Sequence, residues 1–128
     1  MATLKVLFSA LLFPVLFLSD CGSAGEIRES YYMNGRVKQH YKKVQANAKY
    51  LTQGDSLVYY ATGELMIRAH YRNGLLNGKF EEWYPSGKTK LIHYYRNNIL
   101  NGAFAEWNEG GTQIINRTCK NGYPVAEH

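Results

Sequence analysis

The side chains in this chain best suited to chemistry are four histidines, His40, His70, His93 and His128, two cysteines, Cys21 and Cys119, and the carboxylate pair Glu81-Glu82. A protein metal site draws three or four His, Cys, Asp or Glu ligands from short, regular spacings. No two of the histidines share such a spacing with a cysteine or carboxylate. Paired carboxylates serve glycoside hydrolysis when both flank one bond. Neighbours on a strand point to opposite faces, however, and Glu82 recurs as Glu106 in a second copy of its surroundings. The chain has no Gly-x-Ser-x-Gly nucleophile turn and no glycine loop of the phosphate-binding kind. The expectation is a protein that is not an enzyme and holds neither metal nor cofactor.

The recurrence of Glu82 belongs to a longer phrase. Residues 73–88 read NGLLNGKFEEWYPSGK and residues 97–112 read NNILNGAFAEWNEGGT, a 24-residue period. In that register Tyr71, Arg72, Asn73, Leu76, Asn77, Gly78, Phe80, Glu82, Trp83 and Gly87 match Tyr95, Arg96, Asn97, Leu100, Asn101, Gly102, Phe104, Glu106, Trp107 and Gly111. Gly54, Tyr60 and Gly63 extend the period upstream, and Asn121-Gly122 extends it downstream, with Cys119 where Tyr71 and Tyr95 stood. A looser first copy starts at Tyr32-Met33-Asn34-Gly35. Its spacing is 28 residues, which places about four extra residues somewhere in 39–49. Two good copies, a degraded one before and a truncated one after, fit an array whose end units face solvent instead of a neighbour.

Each copy reads as two strands. In 64–72, Leu65, Ile67, Ala69 and Tyr71 alternate with Met66, Arg68, His70 and Arg72. Asn73-Gly74 and Asn77-Gly78 mark tight reversals, and 79–84 forms the second strand, with Phe80 and Tyr84 on one face and Trp83 on the other. Pro85-Ser86-Gly87 closes it as a turn. Each copy is then a β-hairpin, and because a lone hairpin is marginal in water, neighbours must stack. The fold class that follows is all-β: an antiparallel meander of stacked hairpin repeats in one elongated sheet. Most repeated tyrosines and tryptophans are expected to serve as packing material first. The side chains left over for binding are Arg68, His70, Arg72, Trp83, Tyr94, Arg96 and Trp107.

The pattern Tyr-x-x-Gly, then Tyr-x-Asn-Gly-x-x-x-Gly-x-x-x-x-Trp-Tyr, then Gly, resembles the bacterial MORN repeat variant, an antitoxin-like repeat family. The resemblance covers residues 31 to 122 and is strongest from Gly54 to Gly111. It weakens in the last copy, where Cys119 replaces the tyrosine and Ala126 the second glycine. It implies an elongated hairpin array used as a binding or scaffolding surface, without catalytic residues.

The first 20 residues stand apart. Lys5 precedes the uncharged, largely apolar run Val6 to Leu18, too short for a spanning helix of about 20 residues but suited to a signal peptide. Leu18-Ser19-Asp20-Cys21 resembles a lipobox, with Cys21 as the lipidated residue, although Asp20 departs from the small residue usual there. The alternative is cleavage after Ala24 and a secreted chain. The organisation expected is a signal peptide at 1–20, a linker at 21–30 and the repeat domain at 31–128. With Cys21 acylated or removed, Cys119 has no partner for a disulfide.

The net charge of +5 is spread without a run longer than Lys42-Lys43, a solubilising surface and not a nucleic-acid stripe. The expected partner is a protein or a cell-envelope polysaccharide, with the membrane reached through a lipid anchor. A protein-binding or scaffolding surface leads. Carbohydrate or cell-wall binding through exposed aromatics such as Trp83-Tyr84 and Tyr94-Tyr95 is the alternative.

Overall fold

A computed structural model of the chain describes residues 25–125. The signal segment, Cys21 and His128 lie outside them. Nine strands follow in chain order: β1 (Gly25–Tyr31), β2 (Val37–Ala46), β3 (Lys49–Tyr59), β4 (Leu65–Arg72), β5 (Leu75–Trp83), β6 (Thr89–Arg96), β7 (Ile99–Trp107), β8 (Gln113–Lys120) and β9 (Tyr123–Pro124). They form one open antiparallel sheet in which each strand pairs with its chain neighbours.

Two kinds of turn alternate along the chain. At one edge the strands reverse through two residues with positive φ: Asn47-Ala48, Asn73-Gly74, Asn97-Asn98 and Asn121-Gly122. Such turns match the right-handed twist of the strands they join, and asparagine tolerates the left-handed conformation they demand. Ala48, at φ 63°, is the one residue here with a Cβ and no local hydrogen-bonding side chain. Ala48→Gly is therefore expected to stabilise the fold by about 1 kcal/mol, read as a raised denaturation midpoint.

At the opposite edge a four-residue turn recurs as Tyr32 to Gly35, Tyr60 to Gly63, Tyr84 to Gly87 and Asn108 to Gly111. In each, the last N–H donates to the first carbonyl at 2.8–2.9 Å. These turns also couple one hairpin to the next. The Tyr32 hydroxyl donates to the Tyr59 carbonyl at 2.7 Å, Tyr60 to Trp83 at 2.7 Å and Tyr84 to Trp107 at 2.9 Å. Asn108 ends the series. Its short side chain instead accepts the Thr112 N–H, 2.9 Å away within its own turn. The repeated tyrosine thus does two jobs, filling space with its ring and tying a neighbouring carbonyl.

Three expectations are corrected. Asn77-Gly78 is not a reversal. Arg72 pairs directly with Leu75, so Asn73-Gly74 alone makes the turn, and Asn77-Gly78 lies inside β5 where the register shifts. Residues 25–30, expected in a linker, belong to β1, because pairing with β2 satisfies their backbone although nearly every side chain stays exposed. The extra residues of the first copy do not all fall in 39–49. β2 and β3 have 10 and 11 residues, where β4 and β5 have 8 and 9. Both arms of that hairpin are longer by the same amount, so the lengthening leaves the side-chain period in phase.

Cross-strand rows replace a conventional core. On one face Arg28, Tyr41, Ser56, Ala69, Phe80, His93, Phe104 and Arg117 are successive partners from β1 to β8. Ser56, Ala69 and His93 are buried there. The His93 ring stacks on Phe104 at 3.9 Å, and Phe80 meets Tyr95 edge-on at 6.2 Å. Cys119 is buried on this face, opposite Gly102, with no disulfide partner among the described residues. Among the described residues no large side chain is fully buried. A single layer covers its rings only by their neighbours, so the repeated aromatics are half-buried and stay partly available to solvent.

Three groups on this face hold protons more tightly than usual. Burial raises Tyr95 above its ordinary value of 10.0. Burial first, then the Glu82 carboxylate, raises Tyr60. A 2.6 Å hydrogen bond to Glu82 raises Lys90. A folded-state value above the unfolded one gives stability that is complete below about pH 10 and lost as pH climbs through the raised value. The denaturation midpoint is expected to fall as pH rises above about 10, and the decline should be shallower in Tyr95→Phe.

Candidate binding face

Period two and the observed register determine which side chains share a face. Arg68 is the partner of Glu81, Glu81 of Ile92, and Ile92 of Ala105. His70 and Arg72 follow Arg68 on that face of β4, Tyr94 and Arg96 follow Ile92 on β6, and Trp83 and Trp107 lie two residues beyond Glu81 and Ala105. The seven residues proposed from the sequence therefore all project from one side of the sheet.

Their surroundings divide them. Glu81 is buried, yet it keeps two cations: Lys79 Nζ at 2.6 Å and Arg68 Nη1 at 3.7 Å. A buried carboxylate without such partners would lose several kcal/mol of solvation. Arg68 is thus partly committed to structure, and its guanidinium also lies 5.8 Å from the Trp83 ring centroid, a cation–π arrangement. His70 Nδ1 sits 2.7 Å from Asp55 Oδ1. Tyr94 rests above Gly102, where an added Cβ would come within 2.8 Å of its own Cβ. Trp107 occupies the position of Trp83 one repeat later.

Arg72 and Arg96 differ from the rest. Neither joins an ion pair among the described residues. Together with Asn73, Leu75, Asn77 and Asn97 they line a cavity of about 410 Å³ between two hairpin tips. Leu75, Asn77 and Lys79 were missed as candidates, although each falls on the same alternating face within six residues of Asn73.

A larger groove of about 840 Å³ lies near β1 and β2, lined among others by Glu29, Arg36, His40, Leu57, Tyr59 and Glu64. Its acid–base pair is His40 Nδ1 with Glu29 Oε1 at 2.9 Å. Hydrogen bonds from Tyr31 first, then His40, hold the Glu29 carboxyl below its ordinary range. The pair joins β1 to β2 across the ladder. No group of three or more His, Cys, Asp or Glu positioned to share a metal ion occurs among the described residues.

Compared with known families, characterised proteins and solved structures, the chain gives no match. Both faces of the sheet are open, and one of them carries Arg68, Arg72, Trp83, Tyr94, Arg96 and Trp107. Among the described residues no helix is long and apolar enough to cross a membrane.

Proposed function

We propose that the chain is a non-catalytic binding module, a repeat array of the bacterial MORN-variant type, that holds a partner protein on the face bearing Arg68, His70, Arg72, Trp83, Tyr94, Arg96 and Trp107. The observation that carries this reading is the gathering of these seven residues on one side of a single-layer sheet. Arg, Tyr and Trp are the residue types that dominate protein interfaces energetically. A stacking sugar is less well served, because Arg68 already lies over the Trp83 ring.

Export belongs to the same proposal. A lipid on Cys21 would leave the sheet beginning only a few residues from the membrane surface, at Gly25. Mass spectrometry of the mature N-terminus tests this point: an acylated Cys21 supports the anchor, and a chain starting at Gly25 removes it.

Photo-crosslinking tests the face. A photoreactive residue at Tyr94 or Trp107 should capture a discrete protein in cells, whereas one at Arg117, on the opposite face, should not. Equal capture from both faces, or attachment to glycan alone, would sink the protein-binding reading.

A further inference from the structure

Three successive hairpin tips repeat one arrangement along the edge formed by the two-residue turns. Arg72 is paired with Leu75, Arg96 with Ile99 and Lys120 with Tyr123, each couple directly opposed across its turn. Opposed residues share a face, so at every tip a cation stands beside an exposed apolar side chain. Leu75 is 38% exposed, Ile99 51% and Tyr123 77%.

The cations at these tips are free. Among the described residues Arg72, Arg96 and Lys120 take part in no ion pair, whereas Arg68, Lys79 and Lys90, on β4, β5 and β6, each do. The cavity between the first two tips is lined by two guanidiniums, three carboxamides and Leu75, with no carboxylate. Within it Asn77 Nδ2 donates to Asn97 Oδ1 at 3.2 Å, which orients both amides across the gap. A guanidinium presents a planar fork that matches a carboxylate in bidentate fashion. The surface is therefore complementary to a chain of carboxylates.

Spacing narrows the choice. The tips lie on alternate strands, about 9.5 Å apart at a strand spacing of 4.7–4.9 Å. A polyproline II segment has three residues per turn and rises about 3.1 Å per residue, so every third side chain returns to one side after about 9.3 Å. A β-strand returns to one side after two residues, about 6.7 Å, which falls out of step by the second tip.

We propose that this edge binds an extended acidic segment of a partner protein, with Asp or Glu at every third residue. Arg72, Arg96 and Lys120 each take one carboxylate, and Leu75, Ile99 and Tyr123 contact the side chains between. The inference rests on the protein-binding reading above and names the chemistry of the partner.

The test is fluorescence anisotropy with two labelled twelve-residue peptides of identical composition, built from Glu, Pro and Ala. One has Glu at every third position, the other has its glutamates at every second position. The three-residue spacing is expected to bind about ten-fold tighter, and Arg72→Gln/Arg96→Gln to lose about ten-fold, the size expected for two solvent-exposed ion pairs. Arg36→Gln, at the opposite turn edge, should bind as the unaltered chain does. Circular dichroism confirms that the double variant keeps its sheet. Equal affinity for the two spacings, or an unchanged double variant, overturns the proposal. So does binding confined to anionic vesicles or to an acidic polysaccharide. A chain that crosslinks a protein through Tyr94 yet ignores both peptides removes this inference and leaves the broader reading standing.

Discussion

Gly102→Ala is expected to cost about 3 kcal/mol of unfolding free energy, from backbone strain and overlap acting together. Gly102 has φ +132°, a conformation that side chains rarely adopt. A Cβ there would sit 2.8 Å from Tyr94 Cβ and 3.4 Å from its Cγ. Tyr94 cannot simply swing away, because its Cβ belongs to a strand paired residue by residue with β5. Two further glycines grade the effect. At Gly78, φ is +120° but the nearest atom, His70 Cβ, is 3.6 Å away, and at Gly111 φ is +90° with nothing within 4 Å. Gly111→Ala should therefore cost about 1 kcal/mol, from φ alone. Denaturant midpoints should fall in the order Gly111→Ala, Gly78→Ala, Gly102→Ala, the last being least stable. Adding Tyr94→Gly, which removes the opposing Cβ itself, should recover part of the Gly102→Ala loss in a double-mutant cycle. Absence of any recovery would mean that overlap with Tyr94 is not the cause.

That glycine also shows where sequence reading ends. Gly78 and Gly102 repeat as plainly as the turn residues do, and an Asn-Gly dipeptide carries the same local preference at 73–74 as at 77–78. Only the pairing of Arg72 with Leu75 shows that the first is a turn and the second an irregularity within a strand. The strands of the good copies were legible because Leu65, Ile67, Ala69 and Tyr71 alternate with polar residues. β1 was not, since Gly25-Glu26-Ile27-Arg28-Glu29-Ser30 has one large apolar side chain and exposes nearly all of its length. Its strand character comes from β2, a partner that no local pattern announces.

The candidate face was legible in membership and not in availability. Period two assigns Arg68, His70 and Arg72 to one side without any coordinates. Their partners depend on cross-strand register, and register depends on the shifts within each hairpin. Hence the commitment of Arg68 to Glu81 and of His70 to Asp55 emerges only from the sheet. It leaves Arg72 and Arg96 as the charges with freedom to act on something else.

The tyrosine series gives the second large effect, because it acts between repeats and not within one. Tyr84→Phe removes the 2.9 Å bond to the Trp107 carbonyl and should cost about 1 kcal/mol. Tyr84→Ala also removes a half-buried ring, including its contact with the Lys90 ammonium 5.9 Å from the ring centroid, and should cost about 3 kcal/mol. The two losses differ in consequence. Stability in a repeat array is a sum of unit and nearest-neighbour interface contributions, and Tyr84 lies at an interface that no second layer reinforces. Weakening it should let the hairpins beyond β6 open before those preceding them. Single-tryptophan chains, Trp83→Phe and Trp107→Phe, report the two sides separately. In the Tyr84→Ala background the Trp107 fluorescence transition should move to lower denaturant than the Trp83 transition, while with Tyr84 present the two coincide. Coincident transitions in both backgrounds would show that backbone pairing alone couples the hairpins and that the tyrosine hydroxyls add stability without adding cooperativity.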